Sequence, residues 1–492
     1  MSDPVNAPAA PPAPPRWPGN DFPAWMNPML VKELRQGVQS GVFAWTFVLL
    51  QGAMFVLMTM WLVSDATRPG YPGDEGRFYH GLFWTLFGGA AVLAIPMRAA
   101  GSMAMERQGL SLDLLRLTRL SATDIVFGKW LATMAQIGLL AVSILPYVVL
   151  QYFFGGLDVV GNLATLALVV LVAAVTTAVS IALGRLPPIV RGVLMLACGY
   201  VTLGPVFFGG VFSGMAGPGA IPWWTFGLAI IVASLLTAVL LEYSAAAIAP
   251  AAENHAGRIR FLVVVAVALA LVAGRFIAQD TSRMLAVLAS AMTLAVVAVE
   301  FTTNASPVLA VYAPFARFGL PGRLAAALFT PGWATALPFL FVATLPWLVA
   351  RAPSGEPLLG TAGMINLVVA LAAMVLPVPL MALFPAGRRR WTALLLVHAT
   401  SFALFAIANA WRRTAQWESE LVASFLPLPA FMLRTGIYGG GGNFDVLPSL
   451  LLTAACMAPL VPLWLHEMRA LSDRLRASVP ARRGPLSPRG MA

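Results

Sequence analysis

Runs of about twenty mostly apolar residues recur from Gly41 to Leu465, and nothing else in the chain limits its fold so tightly. A helix needs roughly 20 such residues to cross the hydrocarbon core of a bilayer. The runs lack the two-residue alternation of a membrane barrel strand. Backbone groups left unpaired in lipid are also too costly for any open structure. The expected fold class is therefore all-α, a polytopic membrane helix bundle. Twelve spans are expected, at 41–63, 78–97, 124–150, 161–184, 190–213, 222–243, 260–279, 284–303, 332–350, 359–384, 391–411 and 446–465. Composition agrees: 59% of the 492 residues are apolar and only 10% are charged. A soluble domain carries roughly 25% charge.

The net charge of +11 does not point to nucleic acid, because the arginines punctuate apolar runs and do not gather on one soluble domain. With the N-terminus in the cytoplasm, most of the 31 Lys and Arg fall on inner loops, so both termini are expected inside. Cys198 and Cys456 each lie in an apolar run, which excludes a disulfide framework or a zinc cluster and leaves buried free thiols.

Residues 1–24 are rich in Pro and Ala with no apolar stretch, as in a disordered tail without a signal peptide. A core of six spans is expected over 25–250, a second group of about six over 251–466, and a basic cytoplasmic tail over 467–492. Asn304 to Thr330, punctuated by prolines, reads as a cytoplasmic loop or a partly interfacial segment. Leu421 to Gly436 reads as an outer surface or re-entrant segment, followed by the flexible joint Gly439 to Gly442.

Two charged segments stand out. In the first, Asn27 is a helix-capping residue and Pro28 suits the first helical position. Met26, Leu30, Leu34 and Val38 form a stripe at four-residue spacing, with Lys32, Glu33, Arg35 and Gln36 largely off it. This predicts an amphipathic helix lying in the membrane interface before the first span. The second is the Arg-rich stretch from Met105 to Leu120, between spans two and three. Glu106 and Arg107 end one helix, Gly109 permits a bend, and Leu110 to Leu120 form a short helix in which Asp113 and Arg116 pair three residues apart. Ser121-Ala122-Thr123-Asp124 matches a capping box and starts the next span. Helix, bend, short helix and fresh cap make an elbow able to tilt two spans.

These residues carry a resemblance. Asn27-Pro-x-x-x-Lys-Glu-Leu-Arg before span one resembles the membrane subunit of ABC-2 type exporters. So do Glu106-Arg-Gln-Gly-x-x-x-Asp-Leu-Leu after span two, and then Thr118-x-Leu-Ser and Gly128-Lys129. The specific motifs cover roughly residues 25–130, and Ala249-Pro250-Ala251-Ala252-Glu253-Asn254 is similar to a cytoplasmic signature of some longer bacterial members. The resemblance implies a permease of the bacterial cytoplasmic (inner) membrane, driven by a separate ATP-binding subunit. It assigns Asn27, Pro28, Lys32, Glu33 and Arg35 to a connecting helix. It assigns Glu106, Arg107, Gly109, Asp113, Leu114, Leu115 and Arg116 to the segment that couples to the ATPase. The usual unit has six spans, and the greater length here leaves open a single chain or a homodimer. The implied partners are the ATPase and membrane lipid, not nucleic acid.

No Gly-x-x-x-x-Gly-Lys-Ser/Thr loop occurs, so no cofactor or ATP site is expected in this chain, nor an enzymatic constellation. Glu242 and Glu300 lie near cytoplasmic span ends and are expected to meet arginines. His398, deep in a span, is expected to hydrogen-bond a neighbouring helix. Two other readings stay open: a polytopic membrane enzyme acting on a lipid-linked substrate, with Asp65, Asp74 and Glu75 as outer-loop acids, and a non-transporting membrane scaffold.

Overall fold

The computed structural model describes residues 28–67, 74–108, 121–155, 159–184, 188–196, 223–250, 252–276, 279–301, 305–306, 308–350, 360–379, 390, 396–398, 400–401, 403–404 and 447–478. Among these, all regular structure is helical. Seven helices are long and apolar enough to cross a membrane. They are Gly41–Ser64, Phe78–Gly101, Ala122–Phe153, Val159–Leu183, Phe226–Ala246, His255–Phe276 and Leu447–Ala477. A bent pair would make an eighth. The chain divides into two compact units, Met1–Ile221 and Pro222–Ala492, one helix before the boundary expected near residue 250.

The first unit contains α1 (Pro28–Val38), α2 (Gly41–Thr67), α3 (Asp74–Gly88), α4 (Ile95–Gln108), α5 (Ala122–Gly155) and α6 (Val159–Leu183). Residues 188–196 are also helical. Its core sets Met54, Leu57, Met58 and Trp61 of α2 against Phe83, Trp84 and Phe87 of α3 and Ile137, Leu140 and Ile144 of α5. The opposite side of α2 leaves Trp45, Val48, Leu49 and Phe55 exposed, as a lipid-facing surface does. Between membrane helices, packing and polar contacts replace the hydrophobic effect. Accordingly α6 buries Thr165, Ala173, Thr176, Thr177 and Ser180. Gln51 of α2 donates to the Ser143 hydroxyl of α5 at 2.6 Å. Gln151 of α5 binds His80 at 3.2 Å and Asn162 at 3.3 Å.

Span two is continuous but irregular. A π-helical segment, Gly89–Ala94, joins α3 to α4 and ends just before Pro96. Proline has no N–H for the preceding turn and its ring crowds the carbonyl four residues back, so a widened turn relieves both. The Ser180 hydroxyl of α6 binds the Pro96 carbonyl.

The second unit contains α7 (Trp223–Ala246), α8 (His255–Phe276), α9 (Gln279–Glu300), α10 (Ala313–Ala316), α11 (Gly319–Phe329), α12 (Trp333–Val349), α13 (Gly360–Val375), α14 (Leu447–Met457) and α15 (Val461–Ala477). Val263, Val267, Ala286, Val297, Phe339 and Trp347 form the centre of its core. The expected span at 332–350 is here one arm of the bent pair. Gly319–Phe329 and Trp333–Trp347 meet at 97°. The break contains Gly332 at φ +133°, a conformation that residues with a Cβ rarely adopt. The expected spans at 284–303 and 359–384 contain shorter apolar helices, Leu285–Glu300 and Met364–Val375. Those at 190–213 and 391–411 lie largely outside the described residues, as do both termini and residues 421–442.

The segment expected as a loop or interfacial stretch folds into α10 and α11. Val311, Tyr312 and Ala326 pack there against Leu471 and Leu475 of α15. Residues 467–477, assigned from sequence to a tail, are thus the end of a docked helix. Cys456 is a half-buried free thiol, and Cys198 lies outside the described residues.

Candidate functional site

The first charged motif meets the helix that follows the second, near the start of α5. Ser121 accepts the amide of Asp124 at 3.1 Å, and the Asp124 carboxylate accepts the amide of Ser121 at 3.2 Å. This is the reciprocal capping box expected from Ser-x-x-Asp. Two turns on, Lys129 projects toward α1 and is almost fully buried. Its Nζ lies 2.7 Å from Oε1 of Glu33, itself only 14% exposed.

The face that α1 turns to α5 is only partly its apolar stripe. Met29, Glu33 and Gly37 point in with Leu30, whereas Val38 is exposed. The contact with α5 uses a salt bridge and a glycine. Helix α1 is therefore clamped to span three. Lys32 and Arg35 stay exposed.

The close approach is visible at both glycines. A Cβ on Gly128 would stand 3.2 Å from the backbone nitrogen of Leu30. One on Gly37 would stand 2.1 Å from the Gln136 side-chain nitrogen and 2.7 Å from an Arg98 guanidinium nitrogen. Arg98, near the end of the second span, donates to Gln136 Oε1 of α5 at 2.8 Å. The base of the unit is thus a polar knot in which α1, α4 and α5 share Glu33, Lys129, Arg98 and Gln136.

Helix α4 runs to Gln108, so Glu106 and Arg107 occupy its last turn. Pro28 is the first residue of α1. Asn27, Gly109, Asp113, Leu114, Leu115 and Arg116 lie outside the described residues. What the structure fixes on either side of residues 109–120 are the α4 terminus and the capped start of α5.

A second polar junction lies in the other unit, between α7 and α8. Asn254 caps α8 by accepting the Gly257 amide at 2.9 Å and donates to the Phe329 carbonyl at 2.9 Å. His255 sits between two carboxylates, Glu242 at 2.7 Å and Glu253 at 2.8 Å. Only an imidazolium donates from both ring nitrogens, so this geometry suits the charged ring. Arg258 reaches Glu242 at 3.4 Å. One turn deeper, fully buried Arg260 donates to Glu300 at 2.7 Å, to the Leu328 carbonyl at 2.7 Å and to the Thr335 hydroxyl at 3.2 Å. It also covers the Phe339 ring at 5.2 Å. Both flagged carboxylates, Glu242 and Glu300, meet arginines as expected.

Sequence reasoning missed Gly37, Gln136 and His255. Gln136 is a lone amide inside an apolar run, a legible signal on its own. Gly37 gains its role only from Arg98 and Gln136, far away in sequence, and His255 from Glu253 beside it together with Glu242 on the preceding helix. Among the described residues no group of His, Cys, Asp or Glu could hold a metal ion. Compared with protein-family models, curated proteins and solved structures, the chain matches none.

Proposed function

We propose that this chain is the permease subunit of an ABC-2 type exporter in the bacterial cytoplasmic membrane, worked by a separate ATP-binding subunit. The observation that carries the reading is the Glu33–Lys129 clamp. It joins Glu33 of the motif before span one to Lys129 of Gly128-Lys129, two of the stretches on which the family resemblance rests.

The mechanism follows from the connections. An ATPase pair that closes on ATP pushes residues 109–120. One end of that segment continues into α4 and the other into α5 through the capping box, so a push tilts spans two and three together. Helix α1 moves with α5 because the buried ion pair and the close approach at Gly128 resist separation. The π-helical turn at Gly89–Ala94 gives span two a place to yield. Few charges interrupt the spans, which suits a lipid-like or amphipathic cargo.

The test is purification of the full chain from its own cell under mild detergent. An ATP-binding subunit should co-purify. Glu106→Arg combined with Arg116→Glu should then leave membrane insertion intact and separate ATP hydrolysis from transport. Unchanged coupling in that variant, or full activity of the purified chain with no ATPase present, would overturn the proposal.

A further inference from the structure

An open groove of about 560 Å³ lies beside the junction of α7 and α8. Its walls are largely apolar and aromatic: Phe261, Leu262, Phe315 and Phe329. Its polar end is Glu242, Asn254 and Arg258. Sites for small amphipathic ligands commonly have this make-up and run to roughly 300–1,000 Å³.

Three features identify the occupant. The groove lies where two candidate spans, Phe226–Ala246 and His255–Phe276, end together, so it sits at a membrane boundary. Glu242 is turned to His255 at 2.7 Å, while the Arg258 side chain is 61% exposed and holds Glu242 only at 3.4 Å. A planar guanidinium presented this way is suited to a phosphate. Finally, Phe261 is 59% exposed beside it, so the apolar wall runs from that cation toward the lipid.

We propose that this groove binds an anionic phospholipid from the surrounding bilayer, with its phosphate on Arg258 and the start of an acyl chain along Phe261, Leu262, Phe315 and Phe329. The back of the groove is rigid. Asn254 ties the start of α8 to the end of α11 at 2.9 Å, and a Cβ on Gly257 would stand 2.8 Å from the Phe329 carbonyl. The inference does not depend on an ATPase partner.

The test uses the full chain in phosphatidylcholine vesicles doped with phosphatidylglycerol whose acyl chain carries a diazirine. After photolysis, labelled residues are mapped by mass spectrometry. Phe276, 83% exposed at the far end of α8, reports ordinary annular lipid. Labelling at Phe261, Phe315 and Phe329 should exceed that at Phe276 several-fold. It should fall several-fold in Arg258→Gln, and also in Leu262→Trp, which fills the wall and keeps the charge. Each variant is compared only when it elutes as the same monodisperse species as the parent. Labelling no higher than at Phe276, labelling unchanged in either variant, or equal labelling by a matched phosphatidylcholine probe would overturn the proposal. So would full competition by millimolar inorganic phosphate, since that would make the site one for the free anion.

Discussion

Lys129 and Glu33 stand 96 positions apart in the chain, yet Nζ of one lies 2.7 Å from Oε1 of the other in a largely buried seam between α5 and α1. Breaking a buried pair by removing one partner costs about 3–5 kcal/mol, because the remaining charge is stranded. Glu33→Gln and Lys129→Met should each lower the thermal stability of the detergent-solubilised chain substantially. The exchange Glu33→Lys with Lys129→Glu should recover part of the loss. A double-mutant cycle showing simple additivity would refute the pairing.

The seat of α1 also depends on Gly128. A Cβ there meets the Leu30 backbone at 3.2 Å, and backbone cannot swing aside as a side-chain tip can. Gly128→Leu should cost about 1–3 kcal/mol as overpacking. Gly138 lies on the same helix with nothing within 4 Å of its Cβ position, so Gly138→Leu should leave the melting temperature nearly unchanged. Equal effects of the two would show that α1 does not rest on α5.

Arg260 and Glu300 make a sharper contrast, since both are buried. Arg260→Met leaves a carboxylate without its main counter-charge, and Glu300→Gln leaves a guanidinium in the same position. Each single change should destabilise strongly, by about 3–5 kcal/mol. The double change Arg260→Met with Glu300→Leu should be milder than either, because apolar residues of similar volume need no solvation. Thermal unfolding followed by tryptophan fluorescence would settle the order, and a double variant worse than both singles would contradict the account.

The capping box at the start of α5 should be detectable locally. Ser121→Ala removes the acceptor of the Asp124 amide and should cost about 1 kcal/mol. Amide hydrogen exchange in residues 122–124 should quicken while the middle of α5 stays protected. No change in that first turn would mean that the cap does not hold the start of α5.

Much of this was legible in the order of residues. Ser121 and Asp124 bond as their spacing predicts, because a cap is set by neighbours three positions apart. The apolar runs at 41–63, 78–97, 124–150 and 161–184 correspond to membrane-length helices, because lipid accepts little else. The inward face of α1 was not legible. Its stripe of Leu30, Leu34 and Val38 is apolar, but Glu33 and Gly37 take the contact because Lys129 and Gln136 lie opposite. The break at Gly332 was missed for a related reason: an apolar run records length but not the 97° turn within it.

Composition and periodicity thus determined that the chain is helical and suited to lipid, and where several of its helices start, since those properties depend on solvent and on near neighbours. Which charges are buried together was decided only by the tertiary structure. Glu33 with Lys129, Arg260 with Glu300, and His255 with Glu242 are each held by helices that must first pack. A charge is stable away from water only when its partner arrives with it, and the sequence records the two residues but not their meeting.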